Sequence, residues 1–146
     1  MDDFADLDAP ADVVATIEWL LADGFEITRL LTRNQANGNK LVELRSRARQ
    51  CEVVIVRDRG QWSLDLHRER LVGTGLATMH EARTGEVFEH RPGSPLPRQH
   101  PADQLAWADA VPAFFRWTEA EPAWQERLDV ARQAGRERMA RLLGPS

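Results

Sequence analysis

The run Cys51-Glu52-Val53-Val54-Ile55-Val56-Arg57-Asp58-Arg59-Gly60-Gln61-Trp62-Ser63-Leu64-Asp65-Leu66-His67 carries the strongest structural signal in the chain. Its two halves predict the arms of a β-hairpin, because β-branched and aromatic residues fill the flanks and Asp58-Arg59-Gly60 supplies a turn. Gly60 can adopt the left-handed backbone that a three-residue loop needs. The arms differ in pattern. Val53 to Val56 is apolar at every position, as in an interior strand with both faces covered. Trp62, Leu64 and Leu66 alternate with Gln61, Ser63, Asp65 and His67, as in a strand with one buried and one wet face.

Upstream of the hairpin, Lys40 to Arg47 reads as a strand, separated from another beginning at Phe25, Ile27, Arg29 and Leu31 by the turn-forming stretch Asn34 to Asn39. Before these, Pro10 with Asp8 and Asp12 marks a helix start, and Val13, Val14, Ile17, Leu20 and Leu21 recur at helical spacing. Asp23-Gly24 closes that helix. Downstream, glycines and prolines between 68 and 100 break any long element, with Glu86 to His90 as a fifth, edge strand. A helical pattern resumes through Leu105, Ala108, Val111 and Phe115, bent or split at Pro112. The last helix starts at Glu121-Pro122, with Trp124, Leu128, Ala131, Gly135, Met139 and Leu142 on one stripe. The expected architecture is therefore α+β over residues 1–146 as a single domain. It comprises an N-terminal helix, a four-stranded antiparallel meander, and two or three C-terminal helices packed on one face.

The 146 residues, 42% hydrophobic and 29% charged, suffice for one core without disulfides or a structural metal. Cys51 is the only cysteine and lies in an apolar run, which suits an inert strand thiol and a reducing compartment. The acidic start Met1-Asp2-Asp3-Phe4-Ala5-Asp6 lacks the basic and apolar regions of an export signal, and no stretch is long enough to span a bilayer. A cytoplasmic protein is expected. Charge is segregated: residues 1–28 carry eight acids and no base, and residues 29–59 carry eight bases against three acids. Such asymmetry steers an oppositely charged partner unless the acidic helix itself covers the basic strands.

Catalytic patterns are weakly represented. Ser46, Ser63, Ser94 and Ser146 lack the Gly-x-Ser-x-Gly context of a nucleophile elbow. Gly73-Thr74-Gly75 lacks the third glycine and following helix of a phosphate-binding loop, so a simple loop is expected there. Among His67, His80, His90 and His100, only Asp65 with His67 has the i, i+2 strand spacing that puts two ligands on one face. A metal site of Asp65, His67, His80 and His90, in a small metal-assisted enzyme or ligand-binding domain, is the alternative reading; surface residues on a wet strand face account for the same pattern. No cofactor is implied. Trp107, Trp117, Trp124, Phe114 and Phe115 at helical spacing suit a core better than a pocket.

Arg45, Arg47 and Arg49 fall at i, i+2, i+4 and could project from one strand face, with Arg57 and Arg59 across the next hairpin. Guanidinium groups in such a row suit phosphates or carboxylates, but a pI of 5.6 argues against nucleic acid. A protein with an acidic surface is the partner this pattern favours, against the simpler account of a solvated face.

The order of helix, four-strand meander and C-terminal helices, with Val56-Arg57-Asp58-Arg59-Gly60-Gln61-Trp62 at the central turn, resembles small actinobacterial proteins of unknown function and some immunity proteins of bacterial toxin systems. The likeness is architectural, covers residues 10–67 best, and transfers no binding residues, because immunity interfaces differ from family to family. It implies a non-enzymatic module that neutralises a protein, such as a cognate toxin, by surface complementarity.

Overall fold

Pro10 opens the first helix: its carbonyl accepts the Val14 amide at 3.0 Å, and its ring costs nothing where no intrahelical donor is required. Helix α1 runs Ala11–Ala22 and buries Val13, Thr16, Ile17 and Leu20, an i, i+3, i+4, i+7 stripe. Thr16 occupies an apolar position because its hydroxyl donates to the Asp12 carbonyl at 2.9 Å. The helix ends in a Schellman turn, with Phe25 N–H on the Leu20 carbonyl, Gly24 N–H on that of Leu21, and Gly24 at φ 108°.

A computed structural model describes residues 7–32, 39–58, 60–68, 73–87 and 105–143, the Leu142 side chain excepted. The chain comprises two compact units, Met1–Gly75 and Leu76–Ser146. In the first, α1 precedes strands β1 (Glu26–Leu31), β2 (Lys40–Ser46), β3 (Cys51–Asp58), β4 (Gln61–Arg68) and β5 (Thr74–Gly75). They form one antiparallel sheet in sequential order. The four-strand meander expected from sequence is present, with β3, apolar on both faces, at its centre.

One face of this sheet carries Val42, Leu44, Val53 and Ile55, all 0% exposed, with Leu64 and Leu66 beside them. Each such side chain contributes roughly 1.5–3 kcal/mol on burial. A one-residue slip would turn the whole set toward solvent, so the burial itself holds the register. Asp58 pairs with Gln61, which leaves a two-residue loop rather than three, and Gly60 takes φ 80° there. At the β2–β3 turn, Ser46 is buried and its Oγ accepts the Arg49 amide at 3.1 Å, while Gln50 adopts φ 54°. In β1, Thr28 is the extra residue of a bulge between Ile27 and Arg29, its hydroxyl on the Glu43 carbonyl.

The fifth strand differs from expectation. It is Thr74–Gly75, paired through Leu66↔Thr74 and Asp65↔Gly75, whereas Glu86 and Val87 lie outside any strand and 88–90 fall outside the described residues. Gly73 permits this return because a Cβ there would stand 2.8 Å from the His67 ring.

The second unit contains α2 (Leu76–Thr84), α3 (Trp107–Ala120) and α4 (Trp124–Leu142). Helix α2, unforeseen in the glycine-broken stretch, buries Leu76, Met79 and Ala82 and ends at Gly85, φ 79°. Helix α3 continues through Pro112 as one run. Its Phe114 ring stands edge-on to Phe115 and Trp124, with centroids at 5.5 and 6.2 Å; Trp107, Phe114 and Phe115 are core as expected, whereas Trp117 and Trp124 are half-buried at its margin. Helix α4 buries Leu128 and Ala131, and its Arg138 pairs with Glu81 of α2. Met139 is 55% exposed, so the expected apolar stripe does not extend to it. No described helix is long and apolar enough to cross a membrane.

Candidate functional site

The pleat that buries Val42, Ile55 and Leu64 turns the alternate residues of β1–β4 to the opposite face, which is half-buried to exposed. The pairing arranges that face in three rows across the strands. Leu31, Leu41, Val56 and Ser63 form the first row. Arg29, Glu43, Val54 and Asp65 form the second, and Glu26, Arg45, Glu52 and His67 the third. Leu31 is 38% exposed, and Arg29 lies 4.0 Å from Glu43. An aliphatic group of Leu31, Leu41, Val54 and Val56 is thus bordered by charge. Directly opposed residues stand ~5 Å apart and diagonal ones ~7–8 Å, so Leu31, Leu41 and Val56 form a row with Val54 diagonal to Leu41.

This arrangement separates the five arginines singled out from sequence. Arg45 belongs to the face, directly between Glu26 and Glu52. β2 ends at Ser46, so Arg47 and Arg49 leave the strand: Arg47 is exposed in the turn, and Arg49 is drawn to the end of α1. There its Nε and Nη2 donate to the two Asp23 carboxylate oxygens at 2.6 and 2.8 Å. The acidic first helix therefore does neutralise one of the basic residues, as the charge segregation allowed. Arg57 points to the other side of the sheet, in register with Lys40 and Trp62, and Arg59 lies outside the described residues. The i, i+2, i+4 row fails because a chain reversal, not a strand, follows Ser46. The face that retains Arg45 carries Arg29 and Arg45 against Glu26, Glu43, Glu52 and Asp65, so carboxylates outnumber guanidiniums.

Asp65 and His67 do share this face, with the imidazole close over Gly73. His80 belongs to α2 in the other unit, its Nε2 3.5 Å from Glu86, and His90 lies outside the described residues. Among the described residues no group of three or more His, Cys, Asp or Glu is placed to hold a metal ion. Thr74–Gly75 form the edge strand, with Thr74 buried, where a simple loop was expected, and helix α2 follows directly at Leu76, where no helix was expected. Burial pushes the Cys51 thiol from 9.0 up to about 12, partly countered by Arg49 and Arg68, so the group is protonated and shielded.

Sequence reasoning missed the aliphatic group. Its signal was available in Val54 and Val56, since a central strand apolar on both faces demands cover on both. What the sequence did not show was which residues of β1 and β2 stand beside them. Comparison with protein-family models, with curated proteins and with solved structures returned no match, so the site rests on its own geometry.

Proposed function

We propose that this chain is a non-enzymatic protein-binding module of immunity type, which neutralises a bacterial toxin or effector by presenting the outer face of β1–β4. The observation that carries this reading is the in-register row Leu31–Leu41–Val56, flanked by Val54 and bordered by charged residues. An apolar centre inside a polar rim is the anatomy of a protein interface, and a rigid sheet offers it with little ordering cost. Of the five arginines, Arg45 and Arg47, both exposed, are the groups that would meet acidic residues of the partner.

The test is capture with the tagged chain. A stoichiometric protein held by wild type and by an Arg136→Glu control on exposed α4, but lost in Leu41→Glu/Val56→Glu with native circular dichroism, supports the assignment. Equal retention by all three discards it. Arg45→Glu/Arg47→Glu should weaken the complex about tenfold, mainly through slower association, as rim charges do.

A further inference from the structure

Leu41 with Val56, Arg29 with Asp65 and Arg45 with Glu52 are complementary pairs when the outer sheet face meets its own copy, and we infer that a second copy of this chain is its resident occupant when no other partner is bound. The inference rests on the reading of this face as a contact surface and names what covers it. Consider a two-fold axis running along the strands midway between β2 and β3. Rotation about it lays β1 of one copy over β4 of the other, and β2 over β3, with each row facing the same row.

The register then sets Leu41 against Val56 in the first row. In the second it sets Arg29 against Asp65, and in the third Arg45 against Glu52 and Glu26 against His67. Each contact occurs twice, as an isologous interface requires. Both arginines of the face thus meet a carboxylate and Leu41 meets Val56, while Leu31 faces Ser63 and Glu43 faces Val54. The alternative two-fold axis, perpendicular to the strands through the second row, brings Glu43 onto Glu43 and Asp65 onto Asp65, and lays Leu41 on Arg45. Like charges in contact exclude it. The charge order across the strands therefore favours the strand-aligned axis over the perpendicular one.

Four strands ~4.8 Å apart and about six residues long cover roughly 400 Å² per copy. That is about half the area of a standard interface, so self-association is weak, with Kd on the order of micromolar or above, and yields to a tighter partner on the same face.

Sedimentation velocity from about 1 to 500 µM tests the geometry. Wild type should pass from monomer to dimer, and Leu41→Glu should remain monomeric while keeping its native circular dichroism. Arg45→Glu leaves a carboxylate at both members of the third-row pair, and Glu52→Arg leaves a guanidinium at both. Each alone should weaken dimerisation at least about tenfold. Mixed in equal amounts, the two variants should form a heterodimer. The carboxylate introduced at position 45 of one copy then faces the guanidinium introduced at position 52 of the other, and the native Glu52 of the first faces the native Arg45 of the second. Rescue on mixing cannot arise from an effect within one chain. A wild type that stays monomeric throughout, or a mixture that stays monomeric, overturns the inference. Partner capture at nanomolar chain concentration, where self-association is absent, judges the binding-module reading separately.

Discussion

Replacing Arg49 by alanine removes a two-pronged ion pair that anchors the β2–β3 turn to the end of α1, with contacts of 2.6 and 2.8 Å to Asp23. The side chains are 15% and 19% exposed, between the surface and interior limits. Exposed pairs contribute about 0.2–1 kcal/mol, and breaking a buried one costs about 3–5 kcal/mol, so loss of Arg49 should cost about 2 kcal/mol. A second effect makes the two partners unequal. Asp23 caps the C-terminal end of α1, where the helix dipole disfavours a carboxylate by about 0.5 kcal/mol. Arg49→Ala leaves that carboxylate exposed to the dipole and should reach ~2.5 kcal/mol, whereas Asp23→Ala removes it and should cost ~1.5 kcal/mol. Urea unfolding followed by circular dichroism measures both. With a denaturant slope of about 2 kcal/mol/M, Arg49→Ala should lower the midpoint by about 1 M. The double variant should reveal a coupling of at least ~1 kcal/mol. Single costs below about 0.5 kcal/mol, or a coupling near zero, would show that the pair behaves as a solvated surface contact and would refute the anchoring argument.

Gly73→Ala places a methyl 2.8 Å from two His67 ring atoms and 3.2 Å from Asp65 Cβ, so it should cost about 1–2 kcal/mol and shift the His67 ring resonances. Most of that cost should disappear in a His67→Ala background. Because the folded Cys51 thiol titrates near 12 and the unfolded one near 9.0, the native state holds the extra proton between those values. Stability should therefore fall as pH rises through that window, by up to about 1.4 kcal/mol per unit more steeply than in Cys51→Ala. Thiol reagents at pH 8 should label Cys51 only on unfolding. Phe114, 1% exposed among Phe115, Trp117 and Trp124, should cost about 3–4 kcal/mol on truncation to alanine and weaken the near-ultraviolet tryptophan signal.

Helix α1, the β3–β4 hairpin and the order of four strands were legible because each depends on near neighbours. Val13, Ile17 and Leu20 repeat at 3.6-residue spacing, Trp62, Leu64 and Leu66 at two, and Gly24 and Gly60 take the positive φ that their turns require. Helix α2 and strand β5 were hidden in a stretch crowded with glycines. Thr74–Gly75 is extended because β4 offers it an edge, and nothing in two residues announces that. The arginines mark the same boundary. Their i, i+2, i+4 spacing is a property of sequence, but whether they share a face depends on where β2 stops. It stops at Ser46, whose buried hydroxyl turns the chain and delivers Arg49 to an aspartate 26 positions earlier.

Helices α1, α3 and α4, the four-strand meander and its buried face can be read from residue order alone, since periodicity and turn chemistry act over a few residues. The composition of the outer face, by contrast, follows from long-range strand pairing. Leu31, Leu41 and Val56 become one apolar row, and Arg45 stands between Glu26 and Glu52, through successive pairings that bring residues as far apart as Glu26 and Glu52 into one row. Those registers are held chiefly by burial on the opposite side of the sheet. The outer face therefore inherits its pattern from the packing of Val42, Leu44, Val53 and Ile55, not from any local preference of its own.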